Sequence, residues 1–201
     1  MNIIVRQAQE CDLNEITNVH MLCFEDYFSS KLGSKLLKNF YYEYYLKFPE
    51  LFLVAYDPTN KKIIGFTNGY IIGQNIRNAF IQKNFFPLLL QGISLLLRLD
   101  KTAWKKVFSV FKRKKSDPCA PKTKDGEGDL LSICVLPSYR GTTAATLMVN
   151  MFEESLKKLQ IDTYYLTVYA ENARANSFYQ KIGMSIFYQS EADIKYKKTF
   201  S

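Results

Sequence analysis

The chain has 201 residues, of which 47% are hydrophobic and 23% charged, with a formal net charge of +8. That length and apolar content suffice to bury a core, which excludes a wholly disordered chain and predicts one domain with an elaboration. Residues 101–115 (KTAWKKVFSVFKRKK) contain seven lysines and arginines and no acid, and removing those seven charges leaves +1. The basic character is therefore segregated, and with no recognition motif beside it no nucleic-acid partner is expected.

The opening residues contain Arg6 and Glu10 and no apolar run of secretory length, so a cytoplasmic protein is expected. The cysteines Cys11, Cys23, Cys119 and Cys134 form neither a CxxC pair nor a dense framework, and they are read as free thiols with no metal site.

In chain order, a strand is predicted over 3–7. A helix follows from Asp12, capped by Asp12 with Glu15 three residues on, and its apolar residues Leu13, Ile16, Val19 and Cys23 keep helical spacing. A second helix over 34–47 is crowded with aromatics, among them Phe40, Tyr41, Tyr42, Tyr44 and Tyr45. Strands over 51–56 and 62–72 flank Asp57-Pro58-Thr59-Asn60, turn chemistry that predicts an antiparallel hairpin.

From 73 to 126 the pattern changes to apolar and basic helical sequence closed by a polar return loop, which reads as an insertion. Its densest apolar stretch, within 84–99, is interrupted by Gln91, Gly92 and Ser94 and falls short of the ~20 residues that span a bilayer. Trp104, Val107, Phe108 and Phe111 then recur at helical spacing among lysines, the pattern of a basic amphipathic helix. Residues 84–115 are thus a candidate for peripheral contact with the inner face of a membrane, for docking on an acidic partner, or for packing on their own domain.

The last third alternates strand and helix: a strand over 130–135, a helix over 142–159, a strand over 163–168, a helix over 173–181 ended by Gly183, and one or two closing strands. Strands interleaved with helices after an early hairpin predict an α/β (α+β) domain with a mixed sheet. At the junction before the helix over 142–159, Arg140-Gly141 precedes a helix N-terminus, where unpaired N–H groups and the positive end of the dipole can hold a phosphate. Gly141 would let the backbone come close to such a ligand.

The stretch VLPSYRGTTA (135–144) together with NARANSFYQKIGM (172–184) resembles the two signature regions of the GNAT superfamily of acetyl-CoA-dependent N-acetyltransferases. Asn172, Ala175, Phe178, Tyr179, Lys181 and Gly183 fall in register with the second region. The resemblance implies a mostly antiparallel central sheet, splayed at the cofactor strand and flanked by helices, with the insertion between the third and fourth strands. It implies acetyl-CoA as donor, a small primary amine as acceptor, and a monomer or weak homodimer. The backbone of Ile133, Cys134 and Val135 would hold the pantetheine arm. The turn Arg140, Gly141, Thr142, Thr143, Ala144 and Ala145 would hold the pyrophosphate, and Asn172 would cap its helix and touch the cofactor.

In this reading Tyr179 is the proton donor to the leaving thiolate, and neighbouring Phe178 is turned to the core. Asp129, or Glu127 in its place, would deprotonate the amine. Thr143 stands where the family usually has a second glycine, so its Cβ either crowds the phosphates or its hydroxyl bonds them. His20 is read as a structural residue of the first helix. The first two helices and their connection would border the acceptor site, with Glu25 or Asp26 drawing an ammonium. A GNAT core with a basic, apolar insertion is similar to acetyltransferases of bacterial surface-polysaccharide pathways, which implies an amino-sugar acceptor. The alternative is a non-catalytic GNAT-fold protein that binds a membrane or an acidic partner through the insertion.

Overall fold

The computed structural model describes residues 2–25, 27–74, 76–97 and 121–200. The basic stretch 101–115 and Cys119 lie outside them, as does Asp26. The core is a seven-stranded sheet in the order β1-β2-β3-β4-β5-β7-β6. Its strands are β1 (Ile4–Gln7), β2 (Phe52–Asp57), β3 (Lys62–Ile71), β4 (Gly128–Val135), β5 (Thr163–Tyr169), β6 (Ser185–Gln189) and β7 (Asp193–Thr199). Every pair is antiparallel except β4 with β5.

The helices are α1 (Leu13–Cys23), α2 (Phe28–Lys31), α3 (Ser34–Lys47), α4 (Ile76–Lys83), α5 (Phe85–Leu97), α6 (Ala144–Lys158) and α7 (Ala173–Lys181). Helices α1 and α3 cover one face of the sheet, where Phe66 of β3 meets the Tyr41 ring with centroids 5.2 Å apart. Helix α6 covers the other face through Met148, Phe152 and Leu156, all fully buried. The approach of α6 is close: a Cβ on Gly69 would lie 2.6 Å from the Phe152 ring, so only glycine fits there.

The hairpin β2–β3 forms as its turn residues predict. The Asp57 carboxylate accepts the Thr59 and Asn60 N–H groups at 2.9 and 3.3 Å, an Asx turn. The start of α1 differs from expectation. Arg6 takes the Asp12 carboxylate in a bidentate pair at 2.6 and 2.9 Å, so Asp12 accepts the N–H of Gln9 at 2.8 Å and caps a short 3-10 turn instead of α1. Glu15, released from any capping box, accepts the Ile63 N–H at 2.8 Å and ties α1 to β3.

The insertion between β3 and β4 begins with α4 and α5. Helix α4 packs on α3 through Phe80 against Phe40 (5.4 Å), and Lys83 bridges Glu43 at 2.7 Å. Elsewhere the Glu153 carboxylate of α6 accepts from Lys198 at 2.7 Å and from the Tyr164 hydroxyl at 2.6 Å, which locks α6 to β5 and β7.

Candidate active site

Strands β4 and β5 pair only at Gly128 with Tyr164 and Asp129 with Tyr165. Beyond that pair β4 continues on β3 alone and β5 on β7 alone, so the sheet opens into a V. The β3–β4 ladder also shifts register between Asn68/Ser132 and Gly69/Leu130, which leaves Leu131 as an extra residue in β4. A bulge of this kind bends the strand and turns its backbone groups out of the ladder.

Two cavities occupy the opening. The larger, about 690 Å³, is walled by Ile133, Cys134 and Val135 of β4, by the turn from Tyr139 to Thr142 with Ala145 and Thr146, and by α7. Its charged lining residues are Arg140, Arg174 and Lys181, with no acid among them. The turn is held from behind: the Leu136 N–H reaches the Ile64 carbonyl at 2.8 Å, and the Tyr139 hydroxyl donates to Asp57 at 2.9 Å. Gly141 has φ +83° and open space around its missing Cβ, a conformation that costs a side-chain-bearing residue strain even without a clash. The first backbone bond into α6 runs from the Leu147 N–H to the Thr143 carbonyl at 2.9 Å. The N–H groups ahead of it form the electropositive end of the helix.

Thr143 is exposed and Ala144 is buried in the core, and neither lines the cleft. Thr142, which does line the cleft, donates its hydroxyl to the Tyr139 carbonyl at 2.8 Å. Asn172 caps α7 as predicted, its side chain accepting the Ala175 N–H at 3.1 Å.

The smaller cavity, about 360 Å³, lies toward α1 and α2. Phe24, Tyr27 and Tyr169 supply aromatic walls, His20, Ser29, Ser132 and Thr167 supply polar groups, and Asp193 is its one carboxylate. The Tyr27 ring stands 5.5 Å from Tyr169 and 5.0 Å from Phe24. His20 donates or accepts through both ring nitrogens, to the Tyr41 hydroxyl at 2.6 Å and Ser29 at 3.1 Å. Burial lowers its pKa to about 4, so the ring is neutral at neutral pH. His20 is thus the hydrogen-bonded structural residue expected, and it is also part of a cavity wall.

Tyr179 lines both cavities, and burial raises its pKa, so its hydroxyl stays protonated. Phe178 is half-buried: it packs against the main core, as expected, and also lines the larger cleft. Asp129 sits at the closed end of the V and lines neither cavity; burial raises its carboxyl to about 6, against a smaller opposing effect of Lys195. Glu127 instead accepts the Lys124 N–H at 2.8 Å, within its own loop. Glu25 is exposed and lines neither cavity, and the tyrosine-rich α3 fills core with Tyr41 and Tyr44.

The sequence reading does not reach Leu131, Thr167, Tyr169 or Asp193, for none belongs to a motif. Nor does it find Cys23 and Arg174, which line the larger cleft. Arg174 stands inside the segment 172–184 and was open to discovery as a cation two residues past a helix cap. Cys23, hydrogen-bonded to Cys134 and facing Arg140 and Arg174, is held below the usual thiol range, whereas burial pushes Cys134 up. Among the described residues no group of three or more His, Cys, Asp or Glu could hold a metal ion.

A cationic cleft at a helix N-terminus, joined through Tyr27 and Tyr179 to a nearly neutral cavity, suits a long phosphorylated ligand meeting a small one end to end. Residues 107–184, which supply most of this cleft's lining, match the model of the acetyltransferase (GNAT) family. The fold is similar along its whole length to that of PaiA N-acetyltransferase from Thermoplasma acidophilum in complex with coenzyme A, at 18% identity and TM-score 0.64, with 100% of each chain covered. PH1933 from Pyrococcus horikoshii OT3 is similar at 17% identity and TM-score 0.63, over 100% of this chain and 99% of that one. Naa20 from Chaetomium thermophilum in complex with a bisubstrate analogue is similar at 19% identity and TM-score 0.60, over 98% of this chain and 86% of that one. No curated protein sequence matches the chain. The matched segment, less than half of the 201 residues, supplies the strand, turn and helix on one side of the cleft, and there the chain is similar to the acetyltransferase (GNAT) family.

Proposed function

We propose that the protein transfers acetyl from acetyl-CoA to the primary amine of a small molecule by direct attack, and the observation that carries this is Tyr179 lining both cavities. The larger cleft fits the donor. Its volume is about 690 Å³, its charged lining residues are cations, and Gly141 offers backbone without a side chain in the way. The unpaired edge of β4 from Ile133 to Val135 would hold the pantetheine arm by main-chain hydrogen bonds. The turn with Arg140 and the first N–H groups of α6 would take the phosphates.

The acceptor's nitrogen would attack the thioester carbonyl from the smaller cavity, forming the C–N bond as the C–S bond breaks. Tyr179, kept protonated by burial, would donate to the sulfur as negative charge builds there. The amine loses a proton in the same process. Asp129 is our candidate for it, supported by its carboxyl at about 6 and its place at the closed end of the V. A second reading assigns the proton to Asp193, because that carboxylate lines the acceptor cavity itself.

Hydroxyls, an amide, aromatic faces and a single carboxylate in about 360 Å³ favour a compact hydroxylated amine such as an amino sugar. No lysine or arginine lines that cavity, so it offers nothing to an acceptor phosphate or carboxylate. A panel of amino sugars, diamines and peptides with acetyl-CoA tests the reading by release of free thiol. Turnover of peptides with none of amino sugars would overturn the acceptor class. Comparison of Asp129→Asn with Asp193→Asn then decides the base: the variant that loses turnover but keeps acetyl-CoA binding marks it.

A further inference from the structure

Helices α4 and α5 carry an apolar face that the described chain leaves uncovered. On α5, Phe86 is 73% exposed, Leu90 68% and Phe85 53%, while Leu89, Ile93 and Ile81 of α4 are also exposed. Positions 86, 90 and 93 follow the i, i+4, i+7 spacing of one helix face, and 85 and 89 fill the adjoining row. Side chains of this size seldom gather in water on a monomer unless the patch meets something. The opposite side of α5 is already engaged: Gln91, about 140° around the helix from Phe86, donates to the Lys31 carbonyl of α2 at 3.0 Å.

The sequence that carries the stripe is strongly basic: from 73 to 115 it has Arg77, Lys83, Arg98 and seven further lysines and arginines against one acid, Asp100. Glu43 on neighbouring α3 is neutralised by Lys83 at 2.7 Å. An acidic protein groove could answer the charge, but the stripe consists of large aliphatic and aromatic side chains on one helix, without the polar groups that fix a specific protein partner. At 13 residues α5 is too short to cross a bilayer, and no helix among the described residues is long and apolar enough to do so. A helix of this kind lies in the plane of the lipid interface.

We propose that the apolar face of α5, with Ile81 of α4, docks the protein onto an anionic phospholipid surface. The docking does not depend on the acetyltransferase reading.

The test is flotation of the full chain with phosphatidylcholine vesicles, with and without phosphatidylglycerol. Wild type should float with the anionic vesicles and roughly tenfold less with the neutral ones. The double variant Phe86→Ser/Leu90→Ser should lose roughly tenfold of that binding, with its acetyl-CoA thermal shift, measured without lipid, unchanged. Wild type left in the soluble fraction at both compositions would overturn the proposal, as would undiminished flotation of the double variant. A larger species in lipid-free solution that shrinks in the double variant would instead assign the stripe to a second copy of this chain. Loss of the acetyl-CoA shift in wild type, with flotation intact, would sink only the transferase reading.

Discussion

Asp129 stands opposite Tyr165 as the last paired residue of β4 and β5, and past this pair the two strands part. The opening of the V and its one strongly raised carboxyl therefore share a position. Burial at the closed end desolvates Asp129, and the parting of the strands just beyond it makes the space for a substrate.

This burial has a pH signature. The Asp129 carboxyl rises from an ordinary value near 3.8 to about 6, so its cost to the fold is absent at low pH and grows as pH rises from about 4 to about 6. The displacement amounts to roughly 3 kcal/mol at most. His20 acts with the opposite sign: its pKa falls from 6.5 to about 4, so stability present above 6.5 is lost as pH drops toward 4. The two effects oppose each other over the same window. Relative to wild type, Asp129→Asn should raise the melting temperature at neutral pH and make it fall more steeply below pH 6.5. His20→Gln should show the reverse slope. Parallel melting curves for all three proteins across that range would contradict both assignments.

Tyr179→Phe removes one oxygen from a buried ring that touches both cavities. Its turnover should fall by roughly 100-fold or more while the acetyl-CoA thermal shift stays, since the ring remains in the wall. Single-turnover kinetics would separate this from weaker donor binding. Unchanged turnover would remove the proton-donor role.

Cys23 should be the fastest of the described thiols to react with iodoacetamide at neutral pH, because its hydrogen bond to Cys134 and the nearby Arg140 and Arg174 favour its thiolate. Acetyl-CoA should protect it, for it lines the cleft proposed for the donor. Mass mapping with and without acetyl-CoA reads both effects. Labelling that ignores acetyl-CoA would place the donor elsewhere.

Gly141→Ala meets no atom within 4 Å, so it isolates the strain of φ +83°. It should cost about 1–2 kcal/mol of stability and weaken acetyl-CoA binding as the turn relaxes. Thr143→Gly, at an exposed position outside the cleft lining, should leave that affinity within about twofold. A gain in affinity for Thr143→Gly would mean that its branched side chain does obstruct the phosphates.

The elements readable from the chain are those whose physics is local. The Asp57 turn, the Asn172 cap, the α6 stripe and the Arg140-Gly141 junction all act within a few residues, and all stand where the pattern puts them. The Asp12 cap fails because Arg6, on the preceding strand, offers a bidentate ion pair that a neighbouring backbone N–H cannot match. Phe178 packs on the core as its spacing suggests, and that it also walls the cleft is set by how α7 meets the sheet.

The amino-acid order by itself determined the alternation of strands and helices, the strand-to-helix turn at Arg140-Gly141, and the place of Tyr179 on the helix that follows β5. Only the tertiary structure decided the acceptor side. Leu131, Thr167, Tyr169 and Asp193 come from three strands, and they share a cavity because β4 bulges and parts from β5 while β7 pairs β5 from the other side. Spacing along the chain cannot encode that meeting. A wall built from separate strands exists only once the long-range pairings have fixed which edges part.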